Sequence, residues 1–329
     1  MTDEAMTENK ILFDPRFGKR AARFAGRDDV LRDIRAALAD SEEEYRVTIL
    51  SGIRGSGKSS ILAEIRSEPG SSGLVFVELK EGEEIPAAVS AGSGGGDATV
   101  FLVDDASSST PGLTEFLADF SSRVHRGEDL KLILAGLPQG VDELLKDERL
   151  SYLRRARRIM LENLRTDEVT ELFYEAFAEG ETAPENESVL RRAAEATAGH
   201  PYMIQLIGYY LSKEDGGIDD KAADKAIFLA KIELYKNIHE PIVWSLSSKD
   251  RMFLWAMAQD EGSSEFGEIA RRMGVSTGYA SKYRERLLSA GVIYRSAYGE
   301  LAFTLPHMRE YVEKSYIERF GAEGGKRRL

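Results

Sequence analysis

Gly52-Ile53-Arg54-Gly55-Ser56-Gly57-Lys58-Ser59 follows the pattern G-x-x-x-x-G-K-[ST] without a departure. What flanks it decides the fold. Val47-Thr48-Ile49-Leu50 before it is β-branched and apolar, as a buried strand requires. Ser60-Ile61-Leu62-Ala63-Glu64-Ile65 after it has helical spacing. Strand, glycine loop and helix in that order let backbone N–H groups turn inward around phosphate oxygens. The positive end of the helix dipole adds to the same pull. Lys58 is then placed to reach β- and γ-phosphates, and the Ser59 hydroxyl to ligate Mg²⁺. A ligand-free glycine turn is the bland alternative, and the flanking strand and helix argue against it.

Downstream, Thr99-Val100-Phe101-Leu102-Val103 reads as a strand ending in Asp104-Asp105. Four large apolar residues leading into carboxylates form the Walker B pattern, with Asp104 at the strand's carboxyl end, where open α/β sheets bind ligands. Asp104 would hold Mg²⁺, directly or through water, and Asp105 would polarise an attacking water. Further strands are predicted at Leu74–Leu79, Leu130–Ala135 and Ile159–Leu161, with helices over Asp28–Leu38, Leu113–Val124 and Val141–Leu145. Ala91–Asp97 is expected to be a flexible surface connection. This alternation predicts a parallel, doubly covered sheet.

From Thr166 the strands vanish, and Asp167–Glu179, Glu187–Ala198, Pro201–Leu211 and Asp219 to about Ser245 carry helical spacing. The last part reads as a helix (Lys249–Ala258), a helix from Ser264 to Met273, a break at Gly274-Val275-Ser276, and a helix over Thr277–Ala290. A strand pair around Tyr298-Gly299-Glu300 follows, then a closing helix over Pro306–Tyr316. That order is a winged helix-turn-helix. The expected division is an N-terminal segment (1–20), a sheet domain (21–164), a helical lid (165–245), a winged-helix domain (246–318) and a disordered tail (319–329).

Composition bounds the chemistry. The 329 residues contain no cysteine and only four widely separated histidines, which removes disulfides, thiol catalysis and cysteine-ligated zinc, and disfavours a histidine metal site. The acidic start Met1-Thr2-Asp3-Glu4 has no apolar run, and no window approaches a membrane span, so a cytoplasmic protein without a signal peptide or membrane contact is expected. A net charge of −12 argues against a wholly basic nucleic-acid coat protein, although recognition depends on where charge sits. Between Ser264 and Ser296 six basic residues face three acidic ones. Thr277, Tyr279, Ser281, Lys282 and Arg286 on the second helix, with Arg295 on the wing, are candidates to reach phosphates and base edges of double-stranded DNA. A protein-docking or autoinhibitory role for the same module stays open.

Together these blocks resemble the AAA+ ATPases of the origin-recognition type and the neighbouring STAND-type signalling NTPases, over about residues 20 to 318. The carriers are Phe24-Ala25-Gly26-Arg27-Asp28, the phosphate loop 52–59, Val103-Asp104-Asp105, Leu134-Ala135-Gly136-Leu137-Pro138 and Gly199-His200-Pro201-Tyr202. The resemblance implies an α/β P-loop NTPase domain followed by an all-α lid and a winged helix-turn-helix domain. It also implies binding of ATP or ADP with Mg²⁺. Phe24, Gly26, Arg27 and Pro201 then lie on the adenine side. Gly52, Arg54, Gly55, Ser56, Gly57, Lys58, Ser59 and Ser60 take the phosphates, and Lys58, Asp104 and Asp105 act in hydrolysis. Metal ligation falls to Ser59 and Asp104. The basic run Arg154, Arg155, Arg157 and Arg158 lies where an arginine finger from a second copy comes from in the family, a solvated basic face being the alternative.

Three departures bear on rate. Ala135-Gly136 stands where a polar sensor residue is usual, with only Gln139 near. Tyr202 or Met203 stands where origin-type lids carry an arginine, which suits the G-x-P pattern of STAND proteins better. Asp105 is one methylene shorter than the usual glutamate. Since a positioned water or arginine finger changes rates by orders of magnitude, the expected activity is slow ATP hydrolysis, a switch more than a motor. No signature of a substrate domain for a kinase or metabolic ATPase is present.

Overall fold

A computed structural model describes residues 13–16, 26–39, 46–67, 74–79, 98–177, 187–214 and 217–316. Phe24, the Ala91–Asp97 connection and the tail lie outside the described residues. Two compact units divide the chain, Met1–Ile227 and Phe228–Leu329.

In the first unit β1 (Val47–Gly52), β2 (Leu74–Leu79), β3 (Ala98–Val103), β4 (Leu130–Gly136) and β5 (Arg157–Leu161) make one sheet in the order β2-β3-β4-β1-β5. All four pairings are parallel. Every residue of β1 and β4 is buried, as expected of strands covered on both faces. The period of two along each strand sorts the core into two layers. Ile49, Phe101, Leu132 and Leu134 pack with α3 (Leu113–His125) and α4 (Pro138–Lys146). Leu50, Val100, Leu102 and Ile133 pack with α1 (Asp28–Ala39) and α2 (Lys58–Ser67). The fold class read from the sequence is the one observed.

After α4 comes a 3₁₀ segment, Glu148–Arg155, opened by Asp147, whose side chain accepts from the Arg149 N–H; Arg154 and Arg155 of the basic run end it, and Arg157 and Arg158 begin β5. Three helices complete the unit's all-α part: α5 (Thr166–Phe177), α6 (Glu187–Ala196) and α7 (Pro201–Leu211). Residues 13–16 pack on it. The Phe13 ring is 2% exposed and lies 5.6 Å from Phe173 and 5.7 Å from Phe177. Gly208 makes room for it, since a Cβ there would stand 2.4 Å from the Phe13 ring. Asp14 N–H donates to Gln205 Oε1 at 2.9 Å.

The division between units falls within α8 (Asp220–Leu234), which runs through a π-helical turn, Tyr235–His239, into α9 (Glu240–Ser245). The second unit continues with α10 (Ser248–Ala258), β6 (Ser264–Glu265), α11 (Phe266–Arg272), α12 (Thr277–Ser289), β7 (Ile293–Ala297), β8 (Glu300–Phe303) and α13 (Met308–Tyr316). Its three strands pair antiparallel in the order β6-β8-β7, completing a winged helix-turn-helix arrangement. The helix expected from Ser264 begins instead at Phe266. Ser264 is buried, its hydroxyl donates to the Met257 carbonyl at 3.1 Å, and it pairs with Leu301 as a strand residue. A serine side chain competes well for such backbone-bonded positions outside a helix, which the spacing of apolar residues does not register.

Candidate functional site

The sheet order places the glycine loop after β1 and Asp104 after β3 at the same edge, with β4 between them. Two strand spacings, roughly 10 Å, separate the two chain ends. Lys58 crosses toward that gap. It is 7% exposed, and its Nζ donates to the carbonyls of Gly52 and Ile53, each at 2.9 Å. Burial lowers its pKa to about 8 against the opposing pull of Asp105 and Asp104, and the charge of Arg54 adds to the lowering. The two carboxylates and the lysine therefore share one electrostatic site.

Asp105 holds a left-handed backbone conformation, φ 48°, and its N–H donates to Asp104 Oδ1 at 2.9 Å. A non-glycine residue held there is uncommon and marks a turn fixed by its surroundings. The fixing contact is Ala106 N–H to the Ala135 carbonyl at 2.8 Å. The same turn leaves no room for a side chain at position 136. A Cβ on Gly136 would stand 2.5 Å from the Ala106 carbonyl oxygen, so the backbone of the Asp-Asp turn fills the space a side chain needs.

Ser59 and Ser60 open α2, Ser59 with its side chain exposed. The Ser56 hydroxyl is buried and makes no hydrogen bond to any described residue. The donor set suits a phosphate and a hard cation: backbone N–H groups, one lysine, exposed hydroxyls and a carboxylate across the gap. Among the described residues no group of three or more acidic or histidine side chains forms a separate metal site.

Arg27 is drawn to this loop from the chain entering α1. Its Nη2 donates to the Glu162 carbonyl at 2.6 Å and reaches the Ser56 carbonyl at 3.5 Å, and burial lowers its pKa. Gly26 lies against Leu164. Both adenine-side candidates among the described residues of this stretch are therefore joined to the segment leaving β5.

The start of α7 meets the loop directly, through the residues on either side of Pro201. His200, fully buried, places Nε2 2.8 Å from the Arg54 carbonyl, and Tyr202 N–H donates to the Gly55 carbonyl at 3.2 Å. Pro201 itself is the first residue of α7. Gly199 is fixed from behind: φ is +67°, Leu164 N–H donates to its carbonyl at 2.9 Å, and a Cβ would fall 1.8 Å from the Leu164 carbonyl oxygen. Gly199→Ala is therefore expected to cost about 3 kcal/mol or more, from left-handed strain plus the lost backbone bond. Thermal unfolding of the variant checks it.

The basic run near β5 is partly engaged. Arg157 pairs with Asp33 at 2.8 Å, and Arg154 Nε donates to the Leu145 carbonyl at 3.0 Å. Arg154, Arg155 and Arg158 are exposed beside an edge strand.

In the winged helix, the six basic residues do not present a free field. Arg286 donates twice to Asp250 Oδ1, at 2.6 and 3.0 Å, and Asp250 is 2% exposed in the capping box with Ser247. Arg284 and Arg295 both pair with Glu285, at 2.8 and 3.2 Å. Arg271 and Arg272 pair with Glu268, and Arg272 also with Asp260 at 2.6 Å. Lys282 alone of the six has no carboxylate partner among the described residues; it lies 4.1 Å from the Tyr279 ring centre. Thr277 and Tyr279 are exposed, and Ser281 donates to the Thr277 carbonyl at 3.0 Å.

A family model described as a domain of unknown function, DUF8462, matches residues 236–312, which span the winged helix. No curated protein matches the chain. The structure is similar to the ADPNP-ADP complexes of the Aeropyrum pernix ORC2 protein, with TM-score 0.62 and 11% identity over 95% of this chain and 99% of that one. The ADP form of the same protein gives TM-score 0.51 and 12% identity, over 94% of this chain and 99% of that one. Cdc6p from Pyrobaculum aerophilum gives 0.50 and 14%, over 93% and 97% respectively. At these identities the likeness is one of fold, and it extends over nearly the full length of each chain. Among the described residues no helix is long and apolar enough to cross a membrane.

Proposed function

We propose that the chain binds ATP and ADP with Mg²⁺ at the β1–α2 loop, hydrolyses ATP slowly, and uses nucleotide state to set how its winged helix is presented to a partner. The observation that carries this is the shared electrostatic site. Buried Lys58, the Asp104–Asp105 turn and the glycine loop stand together at the carboxyl ends of the parallel strands. The metal, when bound, neutralises phosphate charge. Lys58 binds the β- and γ-phosphate oxygens, Ser59 and Asp104 orient the ion, and Asp105 accepts the proton of the attacking water. Slow turnover follows from the closed space at Gly136, which leaves no side chain to fix that water.

The experiment is an ADP titration over pH. A Lys58 with its pKa near 8 in the free protein must be protonated to hold phosphate. Affinity is therefore flat well below pH 8 and weakens above it by up to about tenfold per unit, with proton uptake on binding that rises toward one above pH 8. Calorimetry in buffers of different ionisation heat reads that proton. No ADP binding at pH 7 removes the reading.

For the winged helix two partners follow from the sequence, double-stranded DNA through Thr277, Tyr279, Ser281, Lys282, Arg286 and Arg295, or a protein surface in the manner of a STAND-like switch. The internal pairing of five of the six basic residues supports the second. Phosphate binding scales with the number of cations available to it. Self-association through exposed Arg154, Arg155 and Arg158 is part of the proposal, and sedimentation with ADP and with an ATP analogue tests it.

A further inference from the structure

We propose that His200 is a positioning residue for the phosphate loop: by holding the Arg54 carbonyl it orients the Gly55 N–H, and through it the helical part of the first unit registers phosphate. A carbonyl oxygen only accepts, so the nitrogen 2.8 Å from Arg54 O is Nε2 carrying its proton. The peptide unit is planar and trans, which sets the C=O of Arg54 and the N–H of Gly55 antiparallel. Fixing one fixes the other. With the carbonyl turned toward His200, the Gly55 N–H points away from α7 on the opposite side of the loop. The next peptide repeats the device: Tyr202 N–H holds the Gly55 carbonyl at 3.2 Å, and the Ser56 N–H points back to the Ile53 carbonyl at 3.2 Å.

Packing reinforces the bond. A Cβ on Gly55 would stand 2.6 Å from His200 Cε1 and 3.2 Å from the Tyr202 Cβ, so the imidazole lies against the glycine's α-carbon and no side chain fits between. Gly55 is left-handed, φ +74°, a conformation the loop keeps only with glycine there. The imidazole is itself held rigidly, at the N-cap of α7, fully buried, one residue from a Gly199 locked to Leu164. A rigid donor on one element and a flexible glycine peptide on another make a contact that senses the loop's shape.

This deepens the nucleotide reading of the same site, and one of its two readouts needs no nucleotide. Arg54 is exposed, and the Arg54–Gly55 bond is a trypsin site inside the loop. In the full chain without nucleotide, His200→Leu is expected to speed cleavage there several-fold relative to other tryptic sites, as followed by mass spectrometry. ADP affinity is expected to fall about three- to tenfold, the effect of one lost neutral hydrogen bond. His200→Gln, whose terminal N–H₂ reaches the Nε2 position, restores both, and His200→Asn, too short, restores neither. The Gln and Asn pair decides the matter even if the leucine variant does not fold. Cleavage at Arg54 unchanged in His200→Leu, or Gln behaving like Asn, overturns the proposal. A wild type that binds no ADP while the cleavage pattern holds supports the positioning of the loop by His200 and removes the nucleotide reading instead.

Discussion

Lys58→Met is expected to weaken nucleotide binding by one to two orders of magnitude while leaving the fold as stable as before or more so. A lysine–phosphate contact is charge-assisted, and such bonds contribute about 1.5–3 kcal/mol each, so losing Lys58 weakens ADP roughly a hundredfold at the upper end. The fold responds in the opposite direction. Burial lowers the Lys58 pKa from 10.5 to about 8, so the folded state disfavours its charge. The sign follows from proton counting. Between pH 8 and 10.5 the unfolded chain binds more protons at this position than the folded one, and stability rises with pH through that window. Below pH 8 the full cost is present, and methionine, of similar length and without charge, removes it. Calorimetric titration and thermal unfolding of the same sample separate the two effects. A variant that loses ADP and also melts much earlier would mean that Lys58 is structural, held for its bonds to Gly52 and Ile53.

Such opposition between binding and stability is expected at a site where a buried cation waits for a polyanion. It also shows which parts of the chain could be read in advance. β1, β3 and β4 were legible because each is a short, nearly continuous apolar run ending at a glycine or carboxylate, and burial on both faces leaves no other reading for Ile49–Leu50 or Phe101–Leu102. The loop residues were legible because their spacing is dictated by phosphate geometry. What sequence could not supply is contact at long separation. Phe13 fills a place opened by Gly208, the His200 imidazole seats on Gly55, and the Ala106 carbonyl occupies the space beside Gly136. Each glycine looks locally like any other. Only the partner, tens to nearly two hundred residues away, gives it a reason. His200 carried one readable signal, its place in Gly199-His200-Pro201-Tyr202 at a helix start, but the site reading named Pro201 and not the imidazole beside it.

Glu285→Gln is expected to have the largest effect on any binding of DNA, and in the direction of gain. Glu285 is exposed and holds both Arg284 and Arg295, so neutralising it frees two cations at the cost of a surface pair, about 1 kcal/mol or less. If the winged helix contacts duplex DNA, the variant binds several-fold tighter at low salt, and the slope of log affinity against log salt steepens by one to two. Lys282→Ala, which removes the cation lying over Tyr279, flattens that slope by about one. Arg286→Ala gives a different answer for a structural reason. It strips the cation from Asp250, a carboxylate buried at 2% exposure that keeps only its bonds to Ser247. A fully buried pair broken from one side costs about 3–5 kcal/mol. Because Arg286 is half exposed and Ser247 remains, about 2 kcal/mol is the expectation, a fall of roughly 10 °C for a unit of this size. Weaker DNA binding by Arg286→Ala would therefore report unfolding as readily as a lost contact, whereas Glu285→Gln and Lys282→Ala leave the helix intact and move the salt dependence in opposite directions. Gel shifts across a salt series that are the same for wild type and both variants would take DNA out of consideration and leave the internally neutralised winged helix as a surface for protein.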